Sequence, residues 1–305
     1  MSLVLLLVAF ALDTRRTEAV APLLLHYKGE RSALAISSVS VAPGEVLTVR
    51  VSDGPSGATY VAEGAGMRAA PSGTAWTWTA PNRSGLHQLR IVRDGGAETR
   101  TLNVFVLVPF SHIRGEHLNG YRIGRYPERP LHGLAIYEQP VGFVEVTREN
   151  ENTLVTPHFR LKDFVCKQGG GYPRYVVLDE RLLLKLEYLL DHVREAGYPT
   201  AAFRVMSGYR TPYYNKAIGN VQYSRHVWGA AADIFIDEDG DGEMDDLNGD
   251  GKVDANDAQV LYDLVDGQVE KAEYRRFRGG LGKYHRTQSH GPFVHVDVRD
   301  RIARW

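Results

Sequence analysis

The sequence predicts two unlike domains: a small all-β, immunoglobulin-like sandwich at residues 33–108 and an α+β domain at residues 138–305. Three observations carry that division. From Ala33 to Val108 apolar and polar residues alternate with period two, as half-buried strands require. After Asp179 the apolar spacing becomes that of a helix, with Leu182, Leu186, Leu189, Leu190 and Val193 on one face. A chain of 305 residues also exceeds the usual size of one domain.

Residues 1–32 read as an N-terminal or signal segment. Leu3 to Leu12 form an apolar run too short to span a bilayer but about the length of a signal-peptide core. No Lys or Arg precedes it, so the preferred reading is a signal peptide whose start lies upstream of Met1, with Ala19-Val20-Ala21 as the cleavage site. A short buried strand or helix is the alternative.

In the sandwich, Leu47, Val49 and Val51 alternate with polar residues, Trp76 and Trp78 share a strand face, and so do Leu89 and Ile91. APG at 42–44, DGPSG at 53–57, PNRSG at 81–85 and DGG at 94–96 supply the turns, and LNVFVLV at 102–108 closes the domain. Roughly seven short strands result. No chemistry is visible there, so the domain reads as a spacer or wall-binding module. Residues 109–137, rich in Gly, Pro, Tyr and charge, read as an irregular linker.

The second domain opens with PHFRLKDFVCKQ and a helix capped by Asp179 and ended by Gly197 and Pro199. Phe203 to Met206 reads as a strand, and Thr211-Pro212 starts a short helix. Arg210 therefore stands at a strand-to-helix corner. Cys166, the one cysteine, precludes an intrachain disulfide and lies between apolar neighbours, as a buried packing residue would. A net charge of −1 gives no global attraction to nucleic acid or anionic membrane.

The stretch MSGYRTPYYNKAIGNVQYSRHVWGAAAD, residues 206–233, organises the rest. His226 and Asp233 stand seven positions apart around Gly229 and three alanines, and His295 lies in FVHVDV. Two histidines and one carboxylate are a common ligand set for a catalytic zinc that keeps a fourth position open. In order, SGYRTPYYN, SRHVWGAAAD and VHVDV resemble the zinc D-alanyl-D-alanine carboxypeptidases and murein endopeptidases, over roughly residues 140–305. The resemblance implies the Hedgehog/DD-peptidase fold, zinc held by His226, Asp233 and His295, and a substrate-facing Arg210.

The general base is where this chain departs from those relatives. Many carry an acidic residue three positions before the last histidine ligand, here Pro292; others carry a histidine two before it, here Phe293. Two candidates remain. Asp297 shares a strand face with His295 and suits either the base or an orienting partner of that ligand. His290, in the loop SHGP, matches a functional histidine at that offset in some carboxypeptidases of the fold, and it is the favoured base.

Between Asp233 and His295 lies an acidic insertion, residues 237–257, with two overlapping loops of EF-hand type. Asp237, Asp239 and Asp241 precede the turn at Gly242 in the first, with Asn248 at position twelve. Asp246, Asn248, Asp250, Lys252 (through its carbonyl) and Asp257 form the second, which resembles the calcium loop of dockerin modules. Structural calcium is the expectation.

The predicted function is zinc-dependent hydrolysis of peptidoglycan stem peptides or crosslinks, as carboxypeptidase or endopeptidase, in the periplasm or cell envelope. Peptidoglycan is the expected partner, with no nucleic acid, no assigned protein partner and a monomeric state. Residues 1 to about 135 are expected to be dispensable for chemistry, because every candidate ligand follows Met206. The alternative is a zinc- and calcium-containing wall-binding or adhesion protein that does not cut.

Overall fold

The computed structural model describes residues 21–305 apart from 53, 56 and 71. The apolar run Leu3–Leu12 and most of the cleavage-site motif lie outside these residues. Two hydrophobic cores organise what is described.

The first core is enclosed by nine strands: β1 (Leu24–Tyr27), β2 (Glu30–Ser32), β3 (Ile36–Val41), β4 (Val46–Ser52), β5 (Tyr60–Glu63), β6 (Arg68–Ala69), β7 (Ala75–Thr79), β8 (Gly85–Arg93) and β9 (Glu98–Val106). One sheet has the order β2-β1-β4-β7-β6 and the other β3-β9-β8-β5, in which β3 and β9 run parallel. Leu47, Val49 and Val51 of β4 and both tryptophans of β7 point into the shared core, as their alternation requires.

Residues 24–32 differ from the expected N-terminal segment. Leu23, Leu25 and Tyr27 are almost wholly buried, and β1 pairs with both β2 and β4. A four-residue strand is too short for its alternation to stand out against a preceding apolar run.

The second core belongs to the rest of the chain. A three-stranded sheet has the order β10 (Val108–Pro109), β13 (Gly142–Val146), β14 (Arg174–Val176), beside a hairpin of β11 (His117–Leu118) and β12 (Tyr121–Arg122). Helix α1 (Glu180–Glu195) follows, capped by the Asp179 carboxylate, which accepts from Arg181 N at 3.0 Å. Then come β15 (Arg204–Ser207), α2 (Pro212–Ala217), β16 (Ala231–Phe235), α3 (Ala255–Asp266), β17 (Gly280–Tyr284), β18 (Phe293–Asp297) and β19 (Ala303–Arg304). The strands after α1 make a five-stranded sheet in the order β15-β16-β18-β17-β19. Helix α1 buries the leucine face read from the sequence and also Lys185, whose Nζ donates to the main-chain oxygen of Asp297 at 2.8 Å. Among the described residues no helix is long and apolar enough to cross a membrane.

Residues 109–137 are not a linker. Leu118, Ile123, Tyr126 and Tyr137 are buried in the second core, and the Tyr126 hydroxyl meets both the Tyr209 hydroxyl, at 3.0 Å, and Val227 O, at 2.9 Å. The Gly, Pro and charge that suggested a linker belong to its turns and exposed faces, while its buried residues follow neither helical nor strand period.

The expectation that residues 1–135 are dispensable therefore changes. Losing a buried Ile, Leu or Tyr costs about 2–5 kcal/mol, against a total stability of about 5–15 kcal/mol. A chain shortened to begin at residue 136 is expected to lose its cooperative thermal transition. A two-state melt near the full-length Tm would show instead that this segment adds nothing to the second core.

Candidate metal centre

Three neighbouring elements carry the ligand-type side chains. Asp233 lies near the middle of β16, directly opposite His295 of β18 on one side and Ser207 of β15 on the other. Side chains opposed across a sheet share one face, so Asp233 and His295 meet there. His226 comes from a short 3-10 turn, Arg225–Trp228, that ends in Gly229. Gly229 has φ +63°, and a Cβ there would sit 1.9 Å from Val177 O, so no other residue fits. Gly208 is equally constrained, because its missing Cβ lets the Phe164 backbone approach.

The three side chains converge. Nε2 of His226 lies 3.1 Å from Asp233 Oδ1 and 3.1 Å from His295 Nδ1, and His295 Nδ1 lies 2.8 Å from Asp233 Oδ1. All three residues are buried. The far side of each ring decides its tautomer. His226 Nδ1 is 2.6 Å from Gly208 O, a pure acceptor, so Nδ1 carries the proton and Nε2 presents a lone pair. His295 Nε2 faces Asp297 Oδ2 at 3.1 Å and donates to it, which leaves a lone pair on Nδ1.

With both rings neutral, three acceptor atoms face one another, and added positive charge makes that arrangement favourable. That charge is a metal ion, or a proton on His295, where burial is outweighed by hydrogen bonds to Asp233 and Asp297 that raise its pKa. Ligands about 2.0–2.1 Å from a tetrahedral zinc stand about 3.3 Å apart, close to the observed separations. The donor set fits zinc, with His226, Asp233 and His295 as its three protein ligands.

A ring of second partners holds these groups. Arg210 donates through Nη2 to Asp233 Oδ2 and through Nε to Ser207 Oγ at 2.8 Å. It still lines the cleft, but its charge is directed at Asp233. The Asp297 carboxylate, wholly buried, accepts from His295, from Gly280 N at 2.7 Å and from Arg299 at 2.8 Å. With both oxygens so engaged it orients His295, and a role as general base does not fit. Burial would raise its pKa, but donation from His295 and Arg299 holds it far below the carboxylate range. Burial pushes the His226 imidazole below its ordinary value, favouring the neutral ligand form. Burial likewise brings Lys185, behind β18, down to about 7.

His290 is placed differently. It lines the cleft over the three ligands, a cavity of about 770 Å³, and packs edge-on against Phe293 at 5.0 Å. Its Nδ1 donates to Gly291 O at 2.8 Å, so Nε2 holds a lone pair. Cys166 is buried and burial pushes its thiol up, as in a packing residue.

The sequence reading missed Arg299 and Trp305. Arg299 fixes Asp297, and the Trp305 ring lies 5.2 Å from that of His295. The Trp305 indole also fills the space that side chains at positions 280 and 282 would take. Neither residue stands in a motif; the glycines of GGLG were the one available signal.

A family model described as Peptidase M15 matches residues 157–248, less than a third of the chain. That segment is similar to the peptidase M15 family. The match contains His226 and Asp233 and ends before His295, which the sheet register alone adds to the site. The family is one of zinc-dependent peptidases, and the donor set of this chain is in keeping with that similarity. A search of curated proteins found no match.

The acidic insertion is only partly as expected. Carboxylate oxygens of Asp237, Asp239 and Asp245 come within 4.8 Å of one another, so Asp245 stands where Asp241 was expected. Asp241 Oδ1 instead accepts from Glu243 N at 2.8 Å. In the second loop Asp246 accepts from Gly249, Asp250 and Gly251, and Asn248 and Asp250 accept from Asp250 N and Lys252 N. Asp257 accepts from Asp254 N through Oδ2 in the capping box of α3, and from Leu247 and Asn248 through Oδ1. Among the described residues Asp246, Asp250 and Asp257 do not form a ligand group. Backbone N–H groups donate to each of these side chains.

Replacing His226, Asp233 or His295 by Ala is expected to remove zinc, read as metal per chain. Asp297→Asn and Arg299→Gln should retain the fold but weaken zinc affinity by about 10–100-fold, the range for partners that orient ligands. Unchanged affinity in both would leave Asp297 without an orienting role.

Proposed function

We propose that the protein is a zinc-dependent hydrolase of peptidoglycan peptides, acting at the cell envelope as a monomer. The observation that carries this is the buried convergence of three acceptor atoms at the floor of an open cleft. The chemistry zinc supplies from such a ligand set is polarisation of a carbonyl and acidification of a water. Around it the chain's own residues divide the work. Arg210 neutralises the outer oxygen of Asp233 and has Nη1 left for a substrate oxygen; Asp297 and Arg299 fix the His295 ring. His290 Nε2 faces no hydrogen-bond partner among the described residues and, over the ligands, is placed to take up or return a proton.

D-amino-acid stem peptides as substrate, and the choice between removing a terminal residue and opening a crosslink, come from the motif resemblance. The N-terminal sheets fit an immunoglobulin-like spacer or wall-binding module. A non-cutting wall-binding or adhesion protein is the alternative. Mass spectrometry of muropeptides before and after digestion, with and without a zinc chelator, decides among these. Loss of one residue marks a carboxypeptidase and conversion of dimers to monomers an endopeptidase. No change with zinc bound overturns the hydrolase.

His290→Ala is expected to keep zinc and lower turnover by about a hundredfold or more. Near-normal turnover would move proton transfer to another group.

Calcium belongs to this reading through the acidic insertion, where Asp237 Oδ1 is buried without a partner beside Asp239 and Asp245. Binding should raise stability by about 2.7 kcal/mol at a hundredfold excess over Kd. A Tm unmoved by millimolar calcium after exhaustive chelation would make the segment an acidic loop held by its own backbone.

A further inference from the structure

The cleft over the metal ligands continues past Arg210. Lys167 and Met206 line it, and both also line an adjoining cavity of about 380 Å³ whose wall carries Arg204. Val205, Phe235 and Met244 give this side arm an apolar floor. Lys167 has no hydrogen-bond or ion-pair partner among the described residues. Arg204 begins β15, is 62% exposed, and has Asp237 as its nearest carboxylate, at 3.9 Å.

The negative groups nearby are already matched. Glu243, on the same cavity, is held by both terminal nitrogens of Arg286. Asp233 is held by Arg210 and faces the two histidines. Arg204 faces Asp237 at 3.9 Å, so Lys167 is the cation of the side arm with no ion-pair partner among the described residues, and it stands beside apolar walls that strengthen its attraction for a buried anion. Arg210 is turned to Asp233 and Ser207 and does not line the side arm.

We propose that this side arm is a subsite for a carboxylate carried by the substrate on a residue beyond the scissile bond, with Lys167 and Arg204 as its counter-charges. The proposal deepens the peptidase reading and rests on it, naming acidic peptides as the preferred class. Charge-assisted hydrogen bonds to a carboxylate are lost when it becomes an amide of the same shape, so the subsite discriminates acid from amide. The discrimination should weaken with salt, because Arg204 is exposed.

The probes are synthetic peptides ending in D-Ala-D-Ala, with D-Glu placed in turn at each of the preceding positions, each paired with its D-Gln counterpart. Binding to the zinc-loaded full chain is read by fluorescence anisotropy, and cleavage by mass spectrometry. For at least one position the wild type is expected to bind the acid about tenfold more tightly than the amide. K167Q and R204Q should each narrow that ratio and the double variant should abolish it, with binding of the amide and zinc content unchanged. Equal binding of acid and amide by the wild type at every position overturns the subsite. So does a ratio that survives in the double variant. Failure to cleave any probe while the binding ratio follows Lys167 and Arg204 removes the peptidase reading and leaves the subsite standing.

Discussion

Three lone pairs turned toward one point in a buried place set the terms for the second domain. Without a cation the two imidazoles and the Asp233 carboxylate repel, and burial removes the water that would screen them. The surrounding structure is arranged so that none can turn away. Gly208 O takes the His226 proton, Asp297 takes the His295 proton, and Arg210 holds the second oxygen of Asp233. Each partner removes a rotamer or tautomer in which the ligand atom would be lost. The sheet contributes the rest, since pairing of β16 with β18 places Asp233 opposite His295. A slip of one residue would send one of the two side chains to the other face.

How much of this was legible follows from the range of each interaction. The helix α1 could be read because its face repeats every three to four residues within one segment. The ligand triad could be read because His226 and Asp233 sit in one glycine-centred stretch and FVHVDV has strand alternation. What escaped depends on contacts far apart in the chain. Arg299 matters only because Asp297 does, and Lys167 and Arg204 come together only after β15 joins the sheet. Residues 109–137 were misjudged because irregular chain can pack as tightly as regular chain, and no period reports it.

The acidic insertion shows an ambiguity of a different kind. Aspartates at alternate positions with glycine between them are what a calcium loop needs, but the same residues are also what turns and helix caps need. Asp257 is the clearest instance: as the third residue of α3 it answers the backbone N–H of Asp254, and its other oxygen closes the loop behind it. Spacing alone cannot separate these uses, because both rest on carboxylate oxygens at fixed offsets. Asp245 escaped the pattern for the converse reason. It reaches Asp237 and Asp239 through a turn that ties its own N–H to Ile236 O at 3.0 Å, outside any fixed loop spacing.

The N-terminal sheets bear on the site through one corner of the second domain. Ser40 N donates to the half-buried Glu180 carboxylate at 2.8 Å, and Ser38 and Asn103 donate to the carbonyls of Val155 and Leu154. Glu180 opens α1, and the residue before it, Asp179, donates its N–H to Gly229 O at 3.1 Å. Gly229 in turn ends the turn that presents His226. The β-strands, the start of α1 and the turn that carries the first ligand are therefore linked by two hydrogen bonds, one to the Glu180 side chain and one between the backbones of Asp179 and Gly229. Burial pushes the Glu180 carboxyl up to about 7, so the contact with Ser40 is made by a group whose ionisation the protein opposes. Strands that bear no candidate ligand thus abut the start of α1, whose preceding residue is hydrogen-bonded to the end of the turn that presents His226.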